Sequence, residues 1–163
     1  MRSDKPWVVV WAVPKNPIDI PCWIMVKHEV RGWELPGGEL LESEDNDIGA
    51  LRELYEETGC LGVAIAEDDS IIEGGVVVLV ELDMEPDELG WMSEDEKIEE
   101  VGWCIEIPDE LFWGTEEIEK LLCDPTQRNH YAKACRRRAS DYGIDHVTQL
   151  WSQHLLNPSN IND

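Results

Sequence analysis

Three glutamates within five residues, Glu53, Glu56 and Glu57, are the part of this 163-residue chain best suited to chemistry. On a helix over Asp47 to Thr58, at 100° per residue, Glu57 lies about 40° to one side of Glu53 and Glu56 about 60° to the other. Gly49, which has no side chain, shares that face. The apolar set Ile48, Leu51, Leu54, Tyr55 and Thr58 falls in an arc of about 120° nearly opposite, and is expected to be core. Like charges three and four residues apart destabilise a helix by about 0.2–0.5 kcal/mol each, and Arg52 stands at the edge of the acidic arc rather than among it. Something positive is therefore expected to complete the face. A hard divalent cation suits it, because Mg²⁺ takes carboxylate oxygens and waters and leaves positions open for phosphates.

Two elements must position those glutamates. Ser43, Asp45 or Asn46 can cap the start of the helix, and Gly59 stops it. Directly upstream, Trp33-Glu34-Leu35-Pro36-Gly37-Gly38 reads as a tight turn, with proline fixing one dihedral and the paired glycines opening conformations closed to other residues. Gly49 lets such a loop come close to the helix and offer a backbone carbonyl.

Runs rich in Val, Ile and Trp predict strands at Trp7 to Val13, Cys22 to Lys27, Leu61 to Ala66, Val76 to Leu82 and Val101 to Ile107. A second helix is expected to start near Pro108 or Thr115 and to reach Leu122. Beyond it, Asp124-Pro125 reads as a cap followed by proline at the first helical position. Two further helices are predicted, one to Gly143 and one over about Ile144 to Leu156. Strands mixed with helices make this α/β or α+β.

Composition narrows the function. Thirteen basic against thirty-six acidic residues give a net charge of −23, which repels a nucleic-acid duplex or an anionic membrane surface. A phosphate-bearing ligand must then arrive with a cation. Residues 1–123 carry 32 acids and eight bases, whereas residues 124–163 carry four acids and five bases. Lys133 and Arg136–Arg138 in that tail could meet a substrate phosphate or an acidic partner subunit, and homodimerisation is electrostatically reasonable, although a solvated helix face is the plainer reading. No apolar run approaches the 18 residues of a spanning helix. Trp7 to Val13 is too short for a signal peptide and reads as a first strand. Cys22, Cys60, Cys104, Cys123 and Cys135 show neither C-x-x-C pairing nor metal-site spacing, which fits free thiols in a reducing cytoplasm.

Taken in order, Gly38, five residues, Glu44, seven residues, Arg52-Glu53-Leu54, Tyr55, Glu56-Glu57, Thr58 and Gly59-Cys60 meet every fixed position of the Nudix box, preceded by Glu34-Leu35-Pro36-Gly37-Gly38. The chain thus resembles the Nudix hydrolases. The resemblance implies an α/β/α sandwich around a mixed β-sheet over residues 1–123, with residues 124–163 as a helical C-terminal extension packed on the same domain. It also implies Mg²⁺ or Mn²⁺ bound by Glu53, Glu56 and Glu57, assisted by a carbonyl of Gly37 or Gly38. Water would attack a phosphorus of a nucleoside diphosphate linked to another group, and Glu56 or Glu57 would take the proton. Arg52 and Glu44 match positions that orient the catalytic glutamates. Many members add a late glutamate before a strand containing tryptophan; Glu94, Glu96 and Glu99 precede Trp103, and Glu96 is the candidate among them, with a solvated acidic loop as the alternative.

Substrate marks are sparser. The proline of many ADP-ribose pyrophosphatases is missing where Gly74-Gly75-Val76 stand, and the tyrosine of many diadenosine polyphosphate hydrolases is missing too. Nucleoside triphosphates remain the expected small-molecule substrate. Phe112-Trp113-Gly114-Thr115-Glu116-Glu117 resembles the Trp-Pro-Asp-Asp segment with which some oxidised-purine triphosphatases hold the base. That would give Trp113, Glu116 and Glu117 to substrate binding, although Thr115 with the two glutamates also makes a good helix start, which is the favoured reading. Trp33 borders the expected cleft, where stacking on a base competes with a core role. Two alternatives stand: an ADP-ribose or nucleotide-sugar pyrophosphatase, and a domain that senses nucleotide without turnover.

Overall fold

Val8 to Val13 is buried almost without interruption, and burial on both faces places β1 (Trp7–Pro14) in the middle of a sheet. Its parallel neighbour is β6 (Gly75–Leu82), with Trp7 opposite Gly75 and Pro14 opposite Leu82. The four-stranded sheet of this computed structural model runs β4-β1-β6-β5, where β4 is Gly37–Glu39 and β5 is Gly62–Asp68, both antiparallel to their neighbours. A second, antiparallel sheet runs β3-β2-β7, from Gly32–Glu34, Trp23–His28 and Ile98–Cys104. Described are residues 6–123 except Pro17, Asp19, Trp113 and Gly114, and excepting the side chains of Thr115, Glu117 and Cys123.

The expected mixed sheet is present, accompanied by a separate antiparallel one. Two strands went unpredicted: β3 and β4 have three residues each, too short to show a period of two. The last strand lies about three residues earlier than expected, because Ile98 is buried opposite His28 while Ile105 is exposed.

Helix α1 (Asn46–Thr58) packs on β1, β4, β5 and β6. One core joins this helix to both sheets, through Val8, Val10, Ala12, Ile24, Val26, Ala50, Leu54, Val78, Val80, Leu82, Ile98 and Val101. Trp11 and Trp23 stack with ring centroids 5.2 Å apart. Helix α2 (Thr115–Cys123) buries Ile118 and Leu121. The chain divides into two units, Met1–Leu122 and Cys123–Asp163. The expected helices beyond residue 123, with Lys133 and Arg136–Arg138, lie outside the described residues. Among the described residues no helix is long and apolar enough to cross a membrane.

Candidate active site

The glutamates stand where two local devices hold α1. At its end Gly59 turns left-handed at φ 73° and returns its N–H to the Tyr55 carbonyl, as a terminal glycine should. Thr58 is tied from both sides: its hydroxyl donates to the Leu54 carbonyl at 2.6 Å, and its own carbonyl accepts from Trp91 Nε1 at 2.9 Å. At its start Asp45 occupies the cap position without making a side-chain cap bond.

The helix is turned relative to the sequence expectation. Ile48 and Tyr55 are 54% and 55% exposed, whereas Gly49, Ala50, Leu54, Glu57 and Thr58 are buried. The core-facing arc is rotated by about 100° toward the glutamates. The acidic face therefore borders the core rather than opposing it, because the adjoining sheets cover Ala50 and Leu54 and leave Tyr55 outside.

Arg52 is a second correction. It reaches in among the acids instead of staying at their edge: Nε and Nη2 bond Glu44 at 2.8 and 2.9 Å, and Nη1 bonds Glu53 at 2.7 Å and Glu56 at 3.2 Å. Nη2 also donates to the Glu39 carbonyl at 3.1 Å. The guanidinium and the Leu41 N–H hold the Glu44 carboxyl down to about 2. Burial pushes Glu53 up from its ordinary value, against the pull of Arg52.

Glu57 is placed differently. It accepts one hydrogen bond, from the Gly37 N–H at 3.0 Å, and burial pushes its carboxyl up to about 8, with the charges of Glu34, Glu53 and Asp95 adding to the effect. Two glycines make this packing possible. A Cβ on Gly38 would lie 2.5 Å from the Glu53 carboxyl carbon, and one on Gly37 would strike the Val8 carbonyl. Leu40 and Glu44 fill the space over Gly49, so the close approach read from that glycine is made by side chains.

The donor set fits a hard divalent cation: carboxylates on one helix face, one of them buried where a cation would favour its charged form. Glu53 and Glu56 meet on Arg52 Nη1 while Glu57 turns to the Gly37 amide. As they stand, no three acidic, histidine or cysteine side chains among the described residues converge closely enough to hold an ion.

The remaining expected residues are scattered. Glu96 is exposed, and in that loop it is Asp95 whose charge reaches Glu57. Trp33 pairs with Lys27 in the second sheet and bonds Glu110 and Phe112 through its backbone, which brings the segment leading to α2 alongside β3. Glu116 is exposed on α2; Trp113 and the Glu117 side chain lie outside the described residues.

Sequence reasoning missed Glu34 and Arg31. Glu34 is buried at 5% exposure and takes a bidentate bond from Arg31, with Nη2 at 2.6 Å and Nε at 3.0 Å. The available signal was an arginine three residues before a carboxylate, next to the Pro-Gly-Gly turn.

No protein-family model matches the chain. A stretch of 37 residues, 23% of this chain and 23% of the relative, is 49% identical to a Bacillus subtilis (strain 168) protein named "Putative 8-oxo-dGTP diphosphatase YtkD". Two crystal structures of a bifunctional NMN adenylyltransferase/ADP ribose pyrophosphatase from Francisella tularensis share the fold. One, complexed with AMP and a manganese ion, aligns at TM-score 0.53, and the other at 0.55; each is 19% identical. The first alignment covers 75% of this chain, the second 77%, and each covers 42% of the larger protein. A NUDIX hydrolase from Nitrosomonas europaea aligns at TM-score 0.49, with 22% identity over 77% of this chain and 70% of that one. At these identities the likeness to the Francisella tularensis structures is one of fold. The matches span 23% and 42% of the lengths of the first relatives named here.

Proposed function

We propose that the chain is a divalent-metal-dependent pyrophosphohydrolase that cleaves a nucleoside triphosphate, oxidised purine nucleotides included, to the monophosphate and pyrophosphate. The observation that carries this reading is Glu57. A buried carboxylate raised to about 8 beside Glu53 is costly in a resting protein and useful in one that takes up a cation with its substrate. Glu53, Glu56 and Glu57 would hold the ion, Mg²⁺ or Mn²⁺, which supplies charge neutralisation at the bridging phosphate and a water acidic enough to ionise near neutral pH.

The chain's own groups supply the rest. The Gly37 N–H fixes the Glu57 carboxylate, and Gly38 leaves room for that of Glu53. Arg52, clamped by Glu44, holds Glu53 and Glu56 in register. Glu56 is half exposed and has one long bond to Arg52, which leaves it free to accept the proton of the attacking water. Trp33, Trp113, Glu116 and Glu117 would meet the base; of these, Trp33 and Glu116 are described with their side chains. Glu96 would have to swing in to reach the ion, whereas Asp95 already acts on Glu57.

A second reading, an ADP-ribose pyrophosphatase, is favoured by the fold shared with the Francisella tularensis enzyme. Both are tested by pyrophosphate and phosphate release from ordinary and oxidised nucleoside triphosphates, ADP-ribose and nucleotide sugars, with Mg²⁺ or Mn²⁺. Glu57→Gln should lower kcat by about 10³-fold, in the range expected for a catalytic carboxylate. Release that persists in that variant would break the assignment. Nucleotide binding without turnover in the unaltered chain would favour the sensor.

A further inference from the structure

The described site holds two arginines, and they are used differently. Arg52 spends its donors on Glu44, Glu53, Glu56 and the Glu39 carbonyl, so little of it is left for a ligand. Arg31 gives Nε and Nη2 to Glu34 and has no described partner for Nη1. Its side chain is 42% exposed, against 7% for the Glu34 carboxylate that grips it. The guanidinium carbon lies over Phe112, 5.4 Å from the ring centroid, and that residue is itself 53% exposed. The backbone N–H groups of Val30 and Arg31 both reach His28 Nδ1, at 3.1 and 3.4 Å, which fixes the turn that carries the arginine.

Burying a carboxylate to hold a half-exposed arginine in one plane is a poor route to stability, since a bound pair of this kind roughly offsets its own desolvation cost. It is a good route to pre-organisation: a guanidinium already locked in its fork loses little freedom when a ligand reaches its open edge. The ligand must be anionic and must come near the acids, because Arg31 is close enough to Glu57 to feel its charge. Among the carboxylates of this site, an anion that approaches finds Arg31 as the one described guanidinium with an open edge.

We propose that Arg31 is a substrate-binding residue that takes a phosphate oxygen of the nucleotide on Nη1, with Glu34 and Phe112 as positioning residues that hold its plane. The inference rests on the pyrophosphohydrolase reading and adds to it a phosphate contact that does not depend on the base. Phosphate suits the fork because guanidinium donors match its oxygens in geometry and charge.

The test uses the full chain with Mg²⁺ and measures dissociation constants for four α,β-imido nucleoside triphosphates, two purine and two pyrimidine, and for inorganic tripolyphosphate. Melting temperature is recorded for each variant. Arg31→Ala should weaken all five ligands alike, by about tenfold or more. Arg31→Lys, which keeps the charge and loses the fork, should weaken them by less, and Phe112→Leu by a few-fold at most. Unchanged affinities in folded Arg31→Ala would overturn the proposal and leave the arginine a structural partner of Glu34. A loss confined to purines, with tripolyphosphate unaffected, would overturn it in favour of base stacking. Should the unaltered chain bind none of the five, the parent reading fails and this one with it; failure seen only in the variants removes this one alone.

Discussion

Glu44, just before α1, and Glu57, near its end, sit in different surroundings: Glu57 is buried, whereas Glu44 is only partly so. Glu44 is held near 2 and Glu57 near 8. Burial is the main cause at Glu57, and the Arg52 guanidinium is the main cause at Glu44. Glu44 has two bonds from Arg52 and an N–H from Leu41, whereas Glu57 has the Gly37 amide and three acidic neighbours. Depth at Glu57 and a guanidinium at Glu44 divide the site into a half that Arg52 completes and a half that a cation would complete.

The largest way to break this contrast is to empty the half that Arg52 completes. Arg52→Gln leaves Glu44, Glu53 and Glu56 facing one another, and should lower kcat about 10–100-fold, as the loss of a group that orients metal ligands does. Steady-state kinetics across Mg²⁺ concentrations would show it, and an unchanged kcat at saturating metal would mean that Arg52 does no positioning.

A smaller effect should appear in the other half as a dependence on pH. Glu57 is raised in the folded chain, so its neutral form favours folding below the ordinary carboxylate range, and that contribution is lost as pH rises through about 8. Melting in chelator should therefore fall between pH 5 and pH 8.5 by more in the unaltered chain than in Glu57→Gln, by about 3–6 °C. Millimolar Mg²⁺ should restore the difference at the upper end, since an ion that binds only the folded state stabilises it. Parallel melting curves in the two chains would contradict the buried, unpaired state of Glu57.

The smallest effect sharpens the position of the helix. Tyr55→Ser should change stability by less than about 0.5 kcal/mol, as surface substitutions do, whereas Leu54→Ala should cost about 2–5 kcal/mol. Equal costs in denaturant titrations would return Tyr55 to the core face that its spacing suggested.

That spacing shows where sequence legibility ended. The acidic face, Gly59 as a stop and the long buried strands were readable because each depends on local pattern: like charges at helical intervals, a residue that tolerates positive φ, unbroken runs of Val. The rotation of α1 was not readable, since Tyr55 and Ala50 exchange roles only through which sheets lie against them. Strands β3 and β4 escaped for want of length. Glu34 was visible as a letter in the turn, but its burial depends on Arg31 folding back over three residues. The tail beyond residue 123 carries expectations only.

The pairing of β1 with β6 has a kinetic meaning. Trp7 meets Gly75, and each later pair along these strands keeps the same separation of 68 residues. Everything that carries the glutamates, from the Pro-Gly-Gly turn through α1, lies within that excursion, and Gly37 and Gly38 reach the helix from a strand that needs β1 beside it. Long-range parallel pairing is slow to form, because a large loop must close before any contact rewards the closure. The packing of α1 on β1 and β6, which buries Glu57, is thus expected to close late in folding. A partly folded chain with α1 formed would carry the three glutamates on one face in water, without the burial that raises Glu57.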